Sequence, residues 1–389
     1  MGCCGSTSQA DDASKTSQEI DEELRRSKKE FNSVIKTLLL GPGESGKSTL
    51  VKQMRLVYSR PYSPEDCREY KEIVFSNTLQ SMQVVLHGFG ILKIDFPPQL
   101  DNAAILLENL EVDSAICPTT GDFEIDVAQA IKSVWEHPST RKVLSESNRL
   151  QLNDSATYFF DAIARTSQVG YVPSDADILR CRVRSTGIVE ETFQVGSHKL
   201  VVLDVGGQRS DVVNGENLLS LLLPPSYLYS WELLADGEDG SRSRVSCFEG
   251  VQLLIFVASL SEFDQVLYED QEQPRMEESL LLWQSIASSP WFSRTSLILF
   301  LNKIDLLEKK VRTRPDLVEY FLPDYLGPPD DPEGVKVYFH ERFNRVHGAQ
   351  ERPLFCHFTT ATDTSAMRPI FRAVMESVIT SSLAEGGFL

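Results

Sequence analysis

The stretch Gly41-Pro-Gly-Glu44-Ser45-Gly46-Lys47-Ser48-Thr49 has the spacing G-x-x-x-x-G-K-S, between an apolar run from Ile35 to Leu40 and a helical pattern that follows. Phosphate is the chemistry this pattern suits. Glycines let the backbone curl with its N–H groups pointing inward, where a β-carbon would block the approach of a phosphate. A helix opening at Lys47 adds the positive end of its dipole. Lys47 can neutralise β- and γ-phosphates, and the Ser48 hydroxyl suits Mg²⁺, a hard ion that prefers oxygen ligands. The plainer reading is a glycine turn between strand and helix; the strand–loop–helix context favours the phosphate loop.

Three more loops carry residues of the right types. Asp204-Val-Gly206-Gly207-Gln208 follows the run His198 to Leu203. A carboxylate there can hold Mg²⁺ directly or through water, Gly207 can offer an N–H to a γ-phosphate, and Gln208 can orient a water. Asn302-Lys303-Ile304-Asp305 follows the run Ser296 to Leu301. A carboxylate at Asp305 can accept both the N1 and N2 protons of guanine, which adenine cannot supply, so the wrong base leaves it unpaired. Thr359-Thr360-Ala361-Thr362, after Leu354 to Thr359, can close a base pocket with a backbone N–H.

Each loop needs a strand end to hold it. Thr192 to Val195, the turn Gly196-Ser197 and His198 to Leu203 predict a hairpin, and Val251 to Val257 a further buried strand. Helices are predicted over Glu269 to Ile286 and Ala366 to Leu383. Strands alternating with helices imply an α/β fold with a mostly parallel sheet covered on both faces. Ligands in such sheets bind at the carboxyl ends of the strands. Residues 62 to 180 read differently. Tyr70, Ile73, Val74, Met82, Val85, Leu86 and Phe89, then Val127, Ile131, Val134 and Trp135, follow the spacing of buried helical faces, with His137-Pro138 ending a helix. This is an all-helical insert.

The chain has 389 residues, room for two ordinary domains. A formal net charge of −18 argues against nucleic acid as the main partner. No apolar run approaches the roughly 20 residues needed to span a bilayer, and the polar first thirty residues carry no secretory signal. Seven cysteines with no C-x-x-C pair suggest reduced thiols in a cytosolic compartment, and the six histidines fall at no metal-ligand spacing. Met1-Gly2-Cys3-Cys4-Gly5-Ser6 fits N-myristoylation at Gly2, with Cys3 and Cys4 as palmitoylation sites. Two lipids matter because one myristoyl chain binds a membrane only marginally. Arg25, Arg26, Lys28, Lys29 and Lys36 add a local basic surplus, and Ser17 to Asn32 reads as a surface helix with Ile20, Leu24 and Phe31 as a thin apolar stripe.

The motifs MGCC, GPGESGKST, LRCRVRSTG, DVGGQ, NKID and TTATDT together resemble the alpha subunits of heterotrimeric G proteins, over nearly the whole chain. The resemblance implies a lipidated N-terminal helix at 1–32 and a Ras-like GTPase domain in two parts, 33–60 and 181–389. A helical domain at 61–180 would be inserted between those parts. It implies that Gly41, Glu44, Ser45, Gly46, Lys47, Ser48 and Thr49 hold the phosphates of GTP or GDP, with Asp154 and Ser155 contributing from the helical domain. Leu179, Arg180, Arg182, Val183 and Ser185 would belong to switch I, with Arg182 as an arginine finger supplied in cis. Ser48 and Ser185 would bind Mg²⁺ with Asp204 in support, Gly207 would meet the γ-phosphate, and Gln208 would position the attacking water. Asn302, Lys303, Asp305 and Ala361 would read guanine.

By the same resemblance the activity is that of a GTP-hydrolysing switch on the cytoplasmic face of the plasma membrane. Its implied partners are a βγ dimer, a G protein-coupled receptor at the C-terminal tail, an effector, and the inner membrane leaflet. Two rivals stand beside this reading: a nucleotide-bound scaffold that neither hydrolyses normally nor signals, and another P-loop enzyme such as a kinase or ATPase.

Departures from the family pattern are Pro42 in the phosphate loop, Ser185 for threonine, and Thr360 for cysteine. The tail Gly386-Gly-Phe-Leu389 lacks the cysteine that some members carry there. The largest is 211–246, where the family has a short basic segment in switch II. Leu218 to Leu223, Pro224-Pro225, Tyr227 to Leu234 and the acidic Asp236-Gly-Glu-Asp-Gly240 fit neither period. That stretch reads as an atypical loop or as foreign sequence, such as a retained intron.

Overall fold

The computed structural model describes residues 34–59, 62–150, 152–183, 188–205, 212–213, 216–217, 250–267, 272–293, 295–347 and 354–385. Gly2, Cys3, Cys4, Ser185, Gly207, Gln208 and most of 211–246 lie outside these residues.

Six strands form one sheet: β1 (Val34–Leu40), β2 (Ile188–Val195), β3 (His198–Val205), β4 (Leu253–Ser259), β5 (Ser296–Asn302) and β6 (Leu354–Phe358). Their spatial order is β2-β3-β1-β4-β5-β6, and every pair is parallel except the β2–β3 hairpin. The hairpin turns at Gly196-Ser197, with Gly196 at φ 61°, the left-handed region that glycine enters freely. Chain order reverses around β1, which has β3 on one side and β4 on the other. A crevice at the carboxyl ends of the strands is the expected ligand site of such a sheet.

Alternate residues of each central strand enter opposite cores. Leu38, Leu40, Leu254, Phe256, Leu299 and Leu301 pack one face, with Trp283, Phe339 and Phe343. Leu39, Leu253, Ile255, Val257, Ile298 and Phe300 pack the other, with Leu50, Met54, Met367 and Phe371. The helices covering these faces are α1 (Lys47–Tyr58) and, later in the chain, α9 (Arg275–Ala287), α10 (Ile304–Thr313), α11 (Pro315–Phe321), α12 (Pro332–His347) and α13 (Thr364–Glu385).

Between α1 and β2 the described chain is helical, as the sequence predicts: α2 (Pro64–Ile91), α3 (Asp101–Leu107), α4 (Ile125–Glu136), α5 (Pro138–Ser145), α6 (Ala156–Asp161), α7 (Ile163–Thr166) and α8 (Asp175–Arg180). These helices enclose a core of their own. Val74, Met82, Val85, Leu86 and Phe89 of α2 share this core with Val127, Ile131 and Val134 of α4, and Phe75 stacks on Phe123 with centroids 4.6 Å apart. Ser63 opens α2 with a capping box, its hydroxyl accepting from the Asp66 N–H.

One boundary differs from expectation. Helix α9 begins at Arg275, not at Glu269. Val266 bridges Pro274, and Leu267 N–H donates to Gln273 O, so Gln273 and Pro274 are paired outside the helix. Pro274 then fixes the extended conformation that precedes the first helical turn.

Candidate nucleotide site

Five parallel strand ends converge where the phosphate loop lies. The loop reaches its tight curve through Gly41 at φ 148° and Gly46 at φ 104°. A Cβ at Gly41 would lie 2.2 Å from Val257 O, and one at Gly46 would lie 2.3 Å from Asn302 Nδ2, so both positions require glycine. Lys47 arches back over the loop, its ammonium donating to Gly41 O at 2.8 Å and Pro42 O at 2.9 Å. Ser45 is fully buried, and its hydroxyl has no hydrogen-bond partner among the described residues. A curled backbone, a lysine and a helix N-terminus are the donor set a polyphosphate needs.

A cavity of about 450 Å³ opens beside this loop, in the range of small-molecule sites. Glu44, Gly46, Lys47, Ser48 and Thr49 line one wall, and Leu179, Arg180, Arg182 and Val183 another. Asp154 and Ser155 of the helical insert also line it, as do Asn302, Lys303, Asp305 and Ala361. The structure thus brings together most of the residues singled out in the sequence. Asp204 pairs in register with Leu39, is buried and does not line the cavity. Gly41 likewise does not line it.

Asn302 is a clamp. It is 1 % exposed; its Nδ2 donates to Ser45 O at 2.9 Å, and its Oδ1 accepts from Ala361 N at 3.0 Å and Thr359 Oγ1 at 3.1 Å. One side chain therefore ties the phosphate loop to the loop after β6. Asp305, by contrast, is exposed to the cavity, with Thr360 Oγ1 3.4 Å from one carboxylate oxygen.

Charge runs through the site as a relay. Arg182 lies 2.6 Å from Glu44, Glu44 2.9 Å from Arg275, and Arg275 3.3 Å from Glu262. Glu262 lies 2.6 Å from Lys303, and Lys303 2.5 Å from Asp154 on the helical insert. Burial weighs against the Lys303 ammonium, but the carboxylates of Asp154 and Glu262 outweigh it and hold its pKa above the ordinary lysine value. Burial likewise opposes the Glu262 charge, yet Lys303 and Arg275 keep its carboxyl below the usual range. Lys303 takes a left-handed φ of 61°, which directs the chain into α10 while its side chain turns into this network.

Glu262 and Arg275 carry no motif, and sequence reasoning passes them by. A weak signal existed. Glu262 follows the end of β4 just as Asp305 follows the end of β5. Arg275 places a cation at the first turn of a helix, where the dipole disfavours it unless a buried anion answers.

A Ras-like sheet with a phosphate loop at its switch point, tied by Asn302 to the loop after β6 and joined by a helical insert, defines a P-loop nucleotide-binding protein of the GTPase class. Residues 14–378 match the family model described as G-alpha, G-protein alpha subunit, and the chain belongs to that family. It is 38 % identical over 391 residues to a guanine nucleotide-binding protein subunit alpha of Coprinellus congregatus, with all of both chains covered. Identity is 36 % over 392 residues, again end to end, to the protein of that name from Cryphonectria parasitica and to the guanine nucleotide-binding protein alpha-1 subunit of Neurospora crassa. The chain is thus a GTPase with the signalling role of a heterotrimeric G protein alpha subunit, and the scaffold reading is not favoured.

Proposed function

We propose that hydrolysis in this chain runs through Arg182 and Gln208 on a guanine nucleotide held by the phosphate loop and Asp305. The observation that carries this reading is one cavity lined together by the phosphate loop, Arg182 and Asp305. Lys47 and the loop N–H groups bind the phosphates, and Arg182 answers the charge that spreads over the γ-phosphoryl and the leaving oxygen. Gln208 orients the attacking water. Such an arginine is worth about 10³–10⁵ in rate among GTPases of this kind.

The hydroxyls of Ser48 and Ser185 suit Mg²⁺, with Asp204 in support. Bound there, the ion would neutralise phosphate charge, and Mg²⁺ takes few protein ligands when phosphates supply the rest. Among the described residues no cluster of three His, Cys, Asp or Glu offers another cation site.

The same reading divides the chain into a lipidated helix at 1–32, GTPase parts at 33–60 and 181–389, and a helical domain at 61–180. Its partners are a βγ dimer, a membrane receptor and an effector. No helix among the described residues is long and apolar enough to cross a membrane. Attachment to the cytoplasmic face would therefore rest on lipids at Gly2 with Cys3 or Cys4. Fractionation of cells expressing Gly2→Ala tests that point; an unchanged membrane fraction would remove it. The stretch 211–246 lengthens switch II on the partner-facing side, so deleting most of it should improve recovery of βγ by the GDP-loaded protein. Equal recovery with and without it would show that the face is free.

Base recognition is tested by competition. The parent should bind GDP and GTP in preference to ATP, and Asp305→Asn should weaken GTP binding and reduce that preference, because an amide cannot accept both guanine protons. A preference unchanged in Asp305→Asn would move base recognition elsewhere.

A further inference from the structure

Asn77 sits in the middle of α2, the 28-residue helix that forms the spine of the helical insert. Asparagine is a poor choice there, because its amide competes with the backbone of a helix interior. It is also 8 % exposed, so its polar atoms need partners. Both partners are the main chain of one residue. Asn77 Oδ1 accepts from Arg182 N at 2.6 Å, and Asn77 Nδ2 donates to Arg182 O at 3.1 Å. The amide acts as a peptide unit laid against Arg182. Only one orientation satisfies both contacts, since the reverse would set NH₂ against N–H and oxygen against oxygen.

A second anchor holds the preceding residue. Lys52 on α1 donates from Nζ to Cys181 O at 2.7 Å and to Ile178 O at 3.0 Å. The chain entering Arg182 is thus gripped by α1 on one side and α2 on the other. The Arg182 side chain, 43 % exposed and paired with Glu44, leaves a backbone held at both of these anchors.

We propose that Asn77 is a positioning residue for hydrolysis, through which the helical insert sets the backbone of Arg182. The proposal rests on the reading that Arg182 acts on the phosphoryl group. Two hydrogen bonds fix the point from which the guanidinium pivots, and small misplacements of such a group cost disproportionately in rate. Asn77 itself touches no nucleotide. Its loss should therefore lower the rate of the chemical step and leave ground-state binding intact.

The test is single-turnover GTP hydrolysis by the full chain, for Asn77→Ala and Asn77→Asp, each in the parent and in Arg182→Cys, with GDP affinity measured alongside. Asn77→Ala should hydrolyse about ten- to a hundredfold more slowly with GDP affinity within about twofold of the parent. In Arg182→Cys the same substitution should change nothing further, because Asn77 acts only through that arginine. Asn77→Asp keeps the acceptor but sets a second oxygen against the Arg182 carbonyl, so it should also be slow. It decides the matter if Asn77→Ala does not fold. Slow Arg182→Cys with parent-like Asn77 variants would overturn the proposal and leave the role of Arg182 standing. Equal slowing by Asn77→Ala in both backgrounds would make its role structural and also overturn it. A parent-like Arg182→Cys would remove the role of Arg182, and this proposal with it.

Discussion

The guanidinium of Arg182 rests on Glu44 of the phosphate loop, Nη2 to Oε1 at 2.6 Å, while the other carboxylate oxygen of Glu44 accepts from Arg275 at 2.9 Å. The Arg182 and Glu44 side chains are 43 % and 30 % exposed, so solvent screens their attraction. Exposed pairs of this kind contribute about 0–1 kcal/mol. On the proposed reading Arg182 leaves this partner for a phosphoryl group, and a contact this weak permits that. Arg182→Cys, which removes this pair and leaves the Glu44–Arg275 pair in place, should accordingly shift unfolding of the GDP-bound protein by less than about 1 kcal/mol, read by denaturant titration. A loss of about 3 kcal/mol or more would show the pair to be structural.

Glu262 is the opposite case. It is 4 % exposed and lies between two buried cations, Lys303 at 2.6 Å and Arg275 at 3.3 Å. Removing its carboxylate leaves both facing each other with one partner fewer, and breaking a buried pair costs about 3–5 kcal/mol. Glu262→Ala should lose stability on that scale, while Glu262→Gln, which keeps the shape, should lose less. Thermal unfolding of both variants with GDP checks this; parent-like stability in Glu262→Ala would contradict it.

Lys52 gives a pH dependence. Burial lowers its pKa to about 8, against a smaller opposing effect of Cys181. The unfolded chain, near the ordinary lysine value of about 10.4, binds more protons than the folded one across that interval. Stability attributable to Lys52 therefore rises as pH increases from 8 toward 10.4, and falls as pH drops back through 8. The stability difference between parent and Lys52→Met, measured at pH 7.5 and pH 9.5, should move in favour of the parent at the higher pH. No movement, or movement the other way, would contradict a lysine buried at this cost.

Much of this site was legible because its key residues are contiguous. The phosphate loop, the hairpin at Gly196-Ser197 and the Asn302 to Asp305 segment each announce themselves within a dozen residues, and the structure sets them at the strand ends their apolar runs imply. The helical insert was legible from the period of α2 and α4. What local pattern cannot carry is a contact between distant positions. Asn77 meets Arg182 across 105 residues, and Glu44 meets Arg275 across 231. Asn302 was singled out for base reading; that its amide also joins two loops is something only the fold reveals. The start of α9 slipped because Glu269 to Ile286 keeps a helical composition while Pro274 sets the true beginning.

The most direct measurement is single-turnover GTP hydrolysis by the parent, Arg182→Cys and Gln208→Leu, with nucleotide affinity determined for each. The parent should convert bound GTP to GDP and phosphate. Both variants should be slower by about a hundredfold or more while binding GTP nearly as tightly, because both residues act on charge or water in the transition state. Variant rates within about threefold of the parent would contradict the assignment of hydrolysis to Arg182 and Gln208.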